Sequence, residues 1–485
     1  MNKPAFLKLW PEDPRDAMPL ALWDSAEIAE VTGGKASHEF QASGVEMDSR
    51  DVQSGDVFVA LIGEAMDGHK FLPKAFEKGA VAAIVDRPVD FPHVLVKDTS
   101  AALQALAHHA RDRSEAVRIG ITGSVGKTGV KEAIFASLDR ACRGMAHRSV
   151  RSYNNHVGVP LSLARMPARS QFGVFEMGMN HAGEIEALTQ HVRPNVAVIT
   201  AIAPVHIEHL GSIEAIADAK AEIFGGLTEG GTAVIPADSE HCDQLIAAAK
   251  AIGAKVMTFG ANENADVRLL DSIQAPSGGS LVTADLGDTR LCYNVAEPGE
   301  HWVSNSLAVM AAVRAAGGDL GAAGLALSEM GGLKGRGARH QLDAPGGKAL
   351  LVDESYNANP ASMRATLQQL GQTPATRRIA ILGAMGELGD FSEKFHVQLA
   401  DRIDEAQVDH AILVGEEMAP LARELGKGAA TSLGIPPSFA HCDGPAEAIA
   451  ALSEFGITSG DVILVKGSNS VGLGTLIEYF VSRDS

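Results

Sequence analysis

Short apolar runs, each followed by a segment with helical periodicity, dominate the chain from Val117 to its end. Runs of this kind are typical of strands that are buried on both faces of a parallel sheet. Their alternation with helical segments predicts βα units, and the last four runs predict a separate, Rossmann-like doubly wound domain. The runs are VRIGIT (117–122), FGVFEM (172–177), NVAVITAIA (195–203), KALLVDE (348–354), RRIAILG (377–383), DHAILVG (409–415) and DVILVKG (461–467).

Two other parts of the chain follow different patterns. A helix start at Asp24-Ser25, a short strand DVFVAL (56–61) and an amphipathic helix at 101–113 predict a small α/β domain. Between residues 267 and 295, polar and apolar positions alternate between Gly and Pro turns, which predicts an antiparallel appendage to the central sheet. We therefore expect an α/β fold with three domains, at 1–113, 114–333 and 334–485.

Length and charge narrow the possible functions. At roughly 150 residues per domain, the 485 residues suit about three domains. The net charge of −19 repels phosphate backbones and anionic headgroups, so nucleic acid and membrane surfaces are not expected partners. An anionic substrate would need cations close to its binding site.

Cysteine usage and the N-terminal sequence bear on the compartment. The four cysteines are far apart and form no CxxC pair, which predicts free thiols in a reducing cytoplasm. The first residues lack the apolar core of a signal peptide, and no run of about 18 apolar residues occurs. We expect a soluble, cytoplasmic protein.

The segment VRIGITGSVGKTGVKEAIFASL places a glycine-rich turn between a predicted strand and a predicted helix, as in a phosphate-binding loop. Gly123 and Gly126 let backbone amides curl around phosphate oxygens. Lys127 can reach the β- and γ-phosphates, and Thr128 offers a hydroxyl to Mg²⁺. A tight turn that caps a helix would explain the glycines but not Lys127 and Thr128. The loop predicts an ATP site, although the common GxxxxGK[ST] pattern would have glycine where this chain has Ile121.

Two further residues are candidate metal ligands. Glu176 ends the strand FGVFEM, where its carboxylate could hold the metal opposite Thr128. The alternative is a buried acid paired with a cation. His206 follows the next strand and could hold a second metal, although a lone histidine in this position is more often structural.

Taken together, the motifs resemble the Mur ligase family, the ATP-dependent amide ligases of peptidoglycan precursor synthesis. The family's loop runs TGxxGKT, here 122–128, which accounts for Ile121. Nearly the whole chain takes part in the resemblance. The other matching stretches are YNNHVGVP (153–160), FEMGMNHAGEIE (175–186), PVHIEH (204–209), GSIEAIADAKAEI (211–223), GEHWVSN (299–305), GR (335–336) and KGS (466–468).

Within the family, the chain is most similar to the branch that joins D-alanyl-D-alanine to UDP-N-acetylmuramoyl-tripeptide. GKTGVKE, MGMNHAGEI, DESYNANPASM (353–363) and GAMGELG (383–389) resemble that branch's versions of the shared motifs. The stretch DSRDVQSGDVFVALIGEAMDGHKF resembles a uridine-nucleotide-binding domain. The branch that adds a diamino acid would be expected to carry a DNPR-like segment in the last domain, which this sequence lacks.

The resemblance implies ATP and two Mg²⁺ ions as cofactors, UDP-N-acetylmuramoyl-tripeptide and D-Ala-D-Ala as substrates, and a monomer. Lys127, Glu176, His206 and Lys220 are implied as catalytic. The implied ATP contacts are Thr122, Gly123, Ser124, Val125, Gly126, Lys127, Thr128, Asn305, Arg336, Asp353 and Glu354. The implied metal contacts are Thr128, Glu176, His206 and Lys220. The implied substrate contacts are Ser49, Arg50, Asn154 and Asn155.

Lys220 shows how much the resemblance adds. On sequence alone it is a helix lysine near Glu222, and such residues usually belong to a solvated face. Family members carry at this position a lysine that reacts with CO₂ to form a carbamate, an anion able to hold Mg²⁺. Asn154 and Asn155 have a similar alternative, because asparagine also favours turns.

Three residues depart from the family pattern. Ala201 stands where the family often has Asn, Glu354 where it has Asp, and Asn469 where it has the Arg of KGSR. The alternatives left open are the branch that adds a diamino acid, a folate or cyanophycin-type ligase, and a non-catalytic nucleotide-binding homologue.

Overall fold

Three large β-sheets with helices packed against them, and one separate two-stranded pair, make up the described part of the chain. The computed structural model describes residues 21–63, 66–205, 207–275, 279–427 and 437–482. Among these residues, no helix is both long and apolar enough to cross a membrane. The four cysteines are free, as predicted.

The first domain begins with a capped helix, because the Asp24 side chain accepts a hydrogen bond from the backbone N–H of Glu27. Its elements are β1 (Trp23–Asp24), α1 (Ser25–Thr32), β2 (Lys35–Ala36), β3 (Gln41–Ala42), β4 (Gly44–Glu46), β5 (Asp56–Val59), α2 (Leu72–Glu77), β6 (Ala82–Val85), β7 (His93–Leu95) and α3 (Thr99–Asp112). The sheet order is β2-β7-β6-β5-β4, with only the β2/β7 pair antiparallel, and β1 pairs with β3 separately.

The central domain is built on a nine-stranded sheet. Its strands are β8 (Val117–Thr122), β9 (Ala146–Arg148), β10 (Phe172–Glu176), β11 (Val196–Ile199), β12 (Thr232–Pro236), β13 (Lys255–Gly260), β14 (Val267–Gln274), β15 (Ser280–Asp285) and β16 (Arg290–Val295). Its helices are α4 (Lys127–Cys142), α5 (Gly158–Ala164), α6 (Glu184–Val192), α7 (Ile207–Leu210), α8 (Ile213–Ala221), α9 (Cys242–Ala251), α10 (Glu300–Ala315) and α11 (Leu320–Glu329).

The order of this sheet is β16-β15-β14-β13-β12-β11-β8-β10-β9. The strands from β14 to β9 are parallel, whereas β14, β15 and β16 pair antiparallel, which confirms the predicted appendage. Side chains alternate between two cores: Val174 and Val198 belong to one, and Phe175 and Ala197 to the other. Burial on both faces explains why these strands are apolar throughout.

The last domain has a six-stranded sheet in the order β17-β18-β22-β19-β20-β21, parallel except for its first pair. Helix α12 begins with a capping box between Asn359 and Ser362. The strands are β17 (Ala338–Ala344), β18 (Gly347–Glu354), β19 (Arg377–Gly383), β20 (His410–Val414), β21 (Ser438–Cys442) and β22 (Asp461–Lys466), and the helices are α12 (Pro360–Gln372), α13 (Ser392–Val397), α14 (Leu399–Glu405), α15 (Ala419–Gly426), α16 (Pro445–Phe455) and α17 (Gly474–Ser482).

The α/β fold in three domains is confirmed, and all seven predicted βα strands are present. The run at 195–203 is longer than β11, because the residues after the strand turn towards the phosphate loop: the backbone N–H of Ser124 donates to the carbonyl of Ala201. The sequence patterns did not predict β9, β12, β13, β17 or β21, or the first-domain strands other than β5. The exact domain boundaries stay a prediction.

Candidate active site

A cavity of about 470 Å³ lies at the carboxyl ends of the central strands, under residues of the last domain. Strands β8, β10 and β11 are neighbours, so the loops that follow them meet at one edge of the sheet, which is where ligands bind in open α/β sheets. The lining includes Gly123, Ser124, Val125, Gly126, Lys127, Asn154, Glu176, Lys220, His301, Trp302, Asn305, Arg336, Glu354, Tyr356, Asn357 and Lys466.

The loop between β8 and α4 has the backbone conformation that its glycines allow. Gly123 and Gly126 have φ values of +146° and +84°, which residues with a Cβ rarely adopt. A Cβ on Gly123 would lie 1.9 Å from Oγ1 of Thr200. That hydroxyl donates to the carbonyl of Val125 at 2.5 Å, and Oγ of Ser124 donates to the carbonyl of Ala203 at 2.9 Å. Residues after β11 therefore hold the loop in place.

Thr128, Glu176 and Asn154 form one hydrogen-bonded group. Oγ1 of Thr128 donates to Oε2 of Glu176 at 2.9 Å, and Nδ2 of Asn154 donates to Oε1 of the same carboxylate at 2.8 Å. Both oxygens of Glu176 are thus oriented by neighbours, and its side chain is buried. The hydroxyl and carboxylate oxygens are the hard ligands that Mg²⁺ prefers.

Two lysines share the phosphate side of the cavity. Nζ of Lys127 donates to the carbonyl of Gly123 at 2.6 Å, and burial lowers the pKa of Lys127. Lys220 lies at the end of α8 and is buried, not solvated. Burial lowers the pKa of Lys220 well below its usual value, the charge on Lys127 lowers it further, and Glu222 opposes both. A buried lysine of this kind carries a neutral amine far more readily than a surface lysine does.

The last domain supplies a second group of charged side chains. Lys466 ends β22; its Nζ donates to the carbonyl of Asn357 at 2.9 Å and lies 3.7 Å from Oε2 of Glu354. Burial lowers the pKa of Lys466 and raises that of Glu354, and the two opposite charges partly offset both shifts. The guanidinium of Arg336 stacks 4.1 Å from the ring centre of Tyr356.

Some predicted site residues lie elsewhere or have other partners. The carboxylate of Asp353 is absent from the cavity lining and accepts hydrogen bonds from the backbone of Gly335 and from Ser355. Oδ1 of Asn155 accepts from the backbone N–H of Gly158 at 2.9 Å, which is turn chemistry. Ser49 is buried in the first domain, while Arg50 is exposed there and pairs with Asp48 at 2.6 Å.

The remaining candidates are placed as follows. Asn305 lines the cavity beside Gly126, and the hydroxyl of Thr122 is buried without a hydrogen-bond partner. His206 lies outside the described residues, so the second-metal prediction stays open. Among the described residues, no three or more His, Cys, Asp or Glu side chains form a group able to hold a metal ion. Asn469 is exposed in a 3₁₀ turn (Asn469–Val471).

The cavity also contains residues to which sequence analysis gave no role. Tyr356 and Asn357 lie in DESYNANPASM, Lys466 begins the KGS stretch, and His301 and Trp302 lie in GEHWVSN. The motifs therefore include these cavity residues, but only the fold shows which side chains of each motif face the cavity.

Comparison with known proteins agrees with this arrangement. Residues 41–113 match the Mur ligase family catalytic domain, residues 121–313 the Mur ligase middle domain, and residues 339–469 the Mur ligase glutamate ligase domain. The UDP-N-acetylmuramoyl-tripeptide–D-alanyl-D-alanine ligase of Rickettsia prowazekii is 31% identical over 95% of this chain and 100% of its own length. The enzyme of the same name from Synechocystis is 34% identical over 92% and 94%. This chain belongs to the Mur ligase family.

Solved Mur ligases have the same fold. A crystal structure of MurF from Acinetobacter baumannii superposes with a TM-score of 0.80 at 30% identity, over 96% of this chain and all of that one. MurF ligase from Thermotoga maritima, in complex with ADP, gives 0.71 at 25% identity over 90% and 97%. The predicted resemblance is confirmed, both to the Mur ligases and to their D-alanyl-D-alanine branch.

Proposed function

We propose that this chain is the ATP-dependent ligase that joins D-alanyl-D-alanine to UDP-N-acetylmuramoyl-tripeptide in peptidoglycan synthesis. Curated relatives with that activity in their names match 92–95% of the chain, the last domain included. The observation that carries the proposal on the structural side is the cavity itself. A phosphate loop with Lys127 and Thr128 faces Arg336, Glu354 and Lys466 of the last domain across it.

The chemistry follows from the difficulty of forming an amide in water, where a carboxylate is a poor electrophile. Transfer of the γ-phosphoryl group of ATP to the tripeptide carboxylate gives an acyl phosphate and ADP. The amine of D-Ala-D-Ala attacks the acyl carbon, loses a proton, and expels inorganic phosphate. Both reactants of the first step are anions, so Lys127 is needed to offset their repulsion. Residues of the last domain over the cavity would exclude water from the acyl phosphate.

The residues present fit an Mg²⁺ ion bound with ATP. Glu176 lines the cavity, and the Thr128 hydroxyl donates to its carboxylate. Both side chains carry hard oxygen ligands, so together they would hold the ion. When bound, the ion supplies charge neutralisation on the phosphates. A second ion, with His206 as a ligand, belongs to the same proposal.

We further propose that Lys220 carries a carbamate. The neutral amine attacks CO₂, a C–N bond forms as one C–O π bond opens, and one proton leaves, so a neutral amine becomes an anionic carbamate at the edge of the cavity. Burial beside Lys127 supports this role, since it favours the neutral amine that the reaction needs. Incubation with ¹³C-bicarbonate at mildly alkaline pH should give a carbamate ¹³C resonance that Lys220→Arg lacks. An active preparation without that resonance would exclude the role.

The other assignments concern substrates and setting. The first domain, with Ser49 and Arg50, would bind the uridine nucleotide, Asn305 would lie near the adenine, and Asn154 and Asn155 near the substrate cleft. Gly123 to Thr128 would hold the phosphates, together with Thr122, while Asp353 would act indirectly by fixing the segment before Arg336. We propose domains at 1–113, 114–333 and 334–485, and a cytoplasmic monomer.

A panel of acceptors tests the activity. Purified protein is given ATP, Mg²⁺ and either UDP-N-acetylmuramoyl-tripeptide or the dipeptide form. Each mixture receives one acceptor: D-Ala-D-Ala, L-lysine, meso-diaminopimelate or L-glutamate. The release of ADP and the mass of the product are measured. We expect release only with the tripeptide and D-Ala-D-Ala. Release with a diamino acid and the dipeptide form would identify the sibling activity. Release with glutamate only when a folate replaces the UDP-linked substrate would favour a folate-type ligase, and no release in any mixture would leave a nucleotide-binding homologue.

A further inference from the structure

Lys131 is a fully buried cation that the proposed chemistry does not use. It lies on α4 three residues after Thr128, so the two side chains share one face of the helix. Nζ of Lys131 lies 3.9 Å from Oε2 of Glu176, the oxygen that accepts from Thr128. That distance is too long for a hydrogen bond but leaves a strong charge interaction in a buried setting.

The three N–H donors of this ammonium have other acceptors. Lys131 donates to the carbonyls of Ser149 and Arg151, the former at 3.3 Å, and lies 3.0 Å from Oε1 of Glu132. Glu132 is held in turn by Arg148 at 2.8 Å. These acceptors use all three N–H donors of Lys131. The side chain therefore links the backbone after β9 to helix α4, which follows the phosphate loop.

The fastened backbone has an unusual conformation. Arg151 has φ +50°, the left-handed region that non-glycine residues adopt only when their surroundings impose it. The bond from Lys131 to the carbonyl of Arg151 is such a constraint. Without it, the segment would relax towards more common angles.

This segment, residues 149–154, contacts all three domains. The side chain of Arg151 pairs with Asp51 of the first domain at 2.7 Å, and Oγ of Ser152 is hydrogen-bonded to the hydroxyl of Tyr356 in the last. Asn154, at its end, orients Glu176. A shift of the segment would therefore disturb the carboxylate and both domain contacts together.

We propose that Lys131 is a positioning residue of the nucleotide site, which holds segment 149–154 so that Asn154 presents Glu176 to the Mg²⁺ of ATP. The proposal rests on the proposed function only in assigning Glu176 to that ion. Lys131 touches neither the ATP phosphates nor the acceptor in this assignment; it acts through Asn154 and Glu176.

A double-mutant cycle on nucleotide binding tests this. The affinity for ATP alone is measured by calorimetry on the full chain, in Mg²⁺ and in EDTA, for the wild type, Lys131→Met, Asn154→Ala and the double variant. Loss of an outer-shell partner costs about 10- to 100-fold in metal affinity, so we expect K131M to weaken Mg²⁺-ATP binding by that factor. Binding in EDTA should change little, because Lys127 and the loop amides are intact.

The cycle separates positioning from general destabilisation. If Lys131 acts through Asn154, the double variant should bind Mg²⁺-ATP no more weakly than the weaker single variant. Losses that multiply, or an equal loss in EDTA, would overturn the proposal. Val130→Ala, which removes packing from the same helix without touching a polar group, should lower Tm and leave the Mg²⁺ dependence unchanged.

A substitute variant and an activity assay on the wild type complete the test. If K131M does not fold, the cycle is run with Lys131→Gln, whose amide keeps N–H donors but carries no charge, with the same non-additivity expected. A wild-type chain that binds Mg²⁺-ATP but adds no D-Ala-D-Ala would contradict the proposed function alone. An active wild type whose K131M variant keeps full Mg²⁺-dependent affinity would contradict only the role of Lys131.

Discussion

The two walls of the cavity are built in different ways. The central wall, formed by Lys127, Asn154, Glu176 and Lys220, comes from one domain. Its carboxylate, Glu176, accepts hydrogen bonds from Asn154 and from Thr128 of the same domain. The wall stands on adjacent strands, β8 and β10, whose register pairs Glu176 with Ile121. The rigid sheet therefore fixes these groups before any ligand arrives.

The C-terminal wall, formed by Arg336, Glu354, Tyr356 and Lys466, belongs to a different sheet. Its internal contacts lie within the last domain, as between Lys466 and Glu354. Its hydrogen bond to the central domain joins Tyr356 to Ser152. The positions of the groups in the central wall thus depend on one sheet, whereas those in the C-terminal wall depend on how two domains contact each other. Substitutions in the two walls should therefore change kcat and KM in different ways.

The largest effect should come from the central wall. Lys127→Ala removes the cation that faces the phosphates. Loss of one electrostatic contact to a developing charge costs about a hundred- to a thousandfold in rate, so we expect kcat to fall by about a thousandfold or more. Binding of UDP-N-acetylmuramoyl-tripeptide, which the first domain is proposed to perform, should persist. ADP release and calorimetry with the nucleotide-peptide check both statements. Loss of both together would refute the division of labour between domains.

Lys466→Met should be the most damaging change in the C-terminal wall. It leaves Glu354 and the carbonyl of Asn357 without their cation, so the wall should shift relative to the phosphates. A misplacement of about 1 Å can cost about a hundredfold in rate, and we expect kcat to fall by that factor. Lys348→Met, an exposed lysine on β18 of the same sheet, is the matched control and should keep wild-type kcat. Equal loss in both variants would mean general damage to the sheet.

The same contrast explains what sequence could predict. The central wall follows from contiguous motifs: the phosphate loop predicts where Lys127 and Thr128 lie, and a strand that ends in Glu176 predicts the carboxylate beside them. In the last domain, the motif DESYNANP shows that charged residues are present but not which of them faces the ATP. Asp353 and Glu354 alternate across β18, and only the second lines the cavity.

Other features depended on tertiary contacts that have no local pattern. The edge strand β17 lies in a sequence that ends a glycine-rich stretch, so it was not predicted; its pairing with β18 makes it a strand. The burial of Lys220 is likewise invisible in a helix sequence with charged neighbours. Lys131 is one residue of GKTGVKE, and two of its three acceptors, the carbonyls of Ser149 and Arg151, lie outside that motif.

A smaller effect, on the free energy of unfolding, is expected at Glu297, which lies beside the linker at Gly337. A Cβ on Gly337 would lie 3.3 Å from Oε2 of Glu297 and 3.6 Å from Oε1 of Glu354, so two acids face the same linker. The pKa of Glu297 is raised to about 7, because burial and the nearby charge of Glu354 raise it by more than Arg339 lowers it. The unfolded chain releases this proton near pH 4.5, so stability should fall as the pH rises from there to about 7 and stay level above.

Glu297→Gln removes that penalty, because the amide is neutral at every pH. At pH 8 the variant should have a free energy of unfolding about 1–3 kcal/mol above the wild type, and the difference should shrink towards pH 5. Urea unfolding at both pH values measures it. Glu454→Gln, at an exposed position of α16, controls for the loss of one acidic group. A difference that is independent of pH would show that the ionised carboxylate of Glu297 is not what destabilises the junction.

The smallest effect is expected at the contact between the C-terminal wall and the central domain. Tyr356→Phe keeps the ring under Arg336 but removes the hydroxyl that bonds Ser152, and with it the hydrogen bond from the C-terminal wall to the central domain. A hydrogen bond contributes about 0.5–1.5 kcal/mol, so kcat should fall about two- to tenfold. The KM for ATP should stay unchanged, because the central wall binds the phosphates without this contact. Ser152→Ala should reproduce the effect and add nothing to Y356F. A raised KM for ATP with unchanged kcat would instead mean that the hydroxyl contacts the nucleotide, and the two walls would then share its binding.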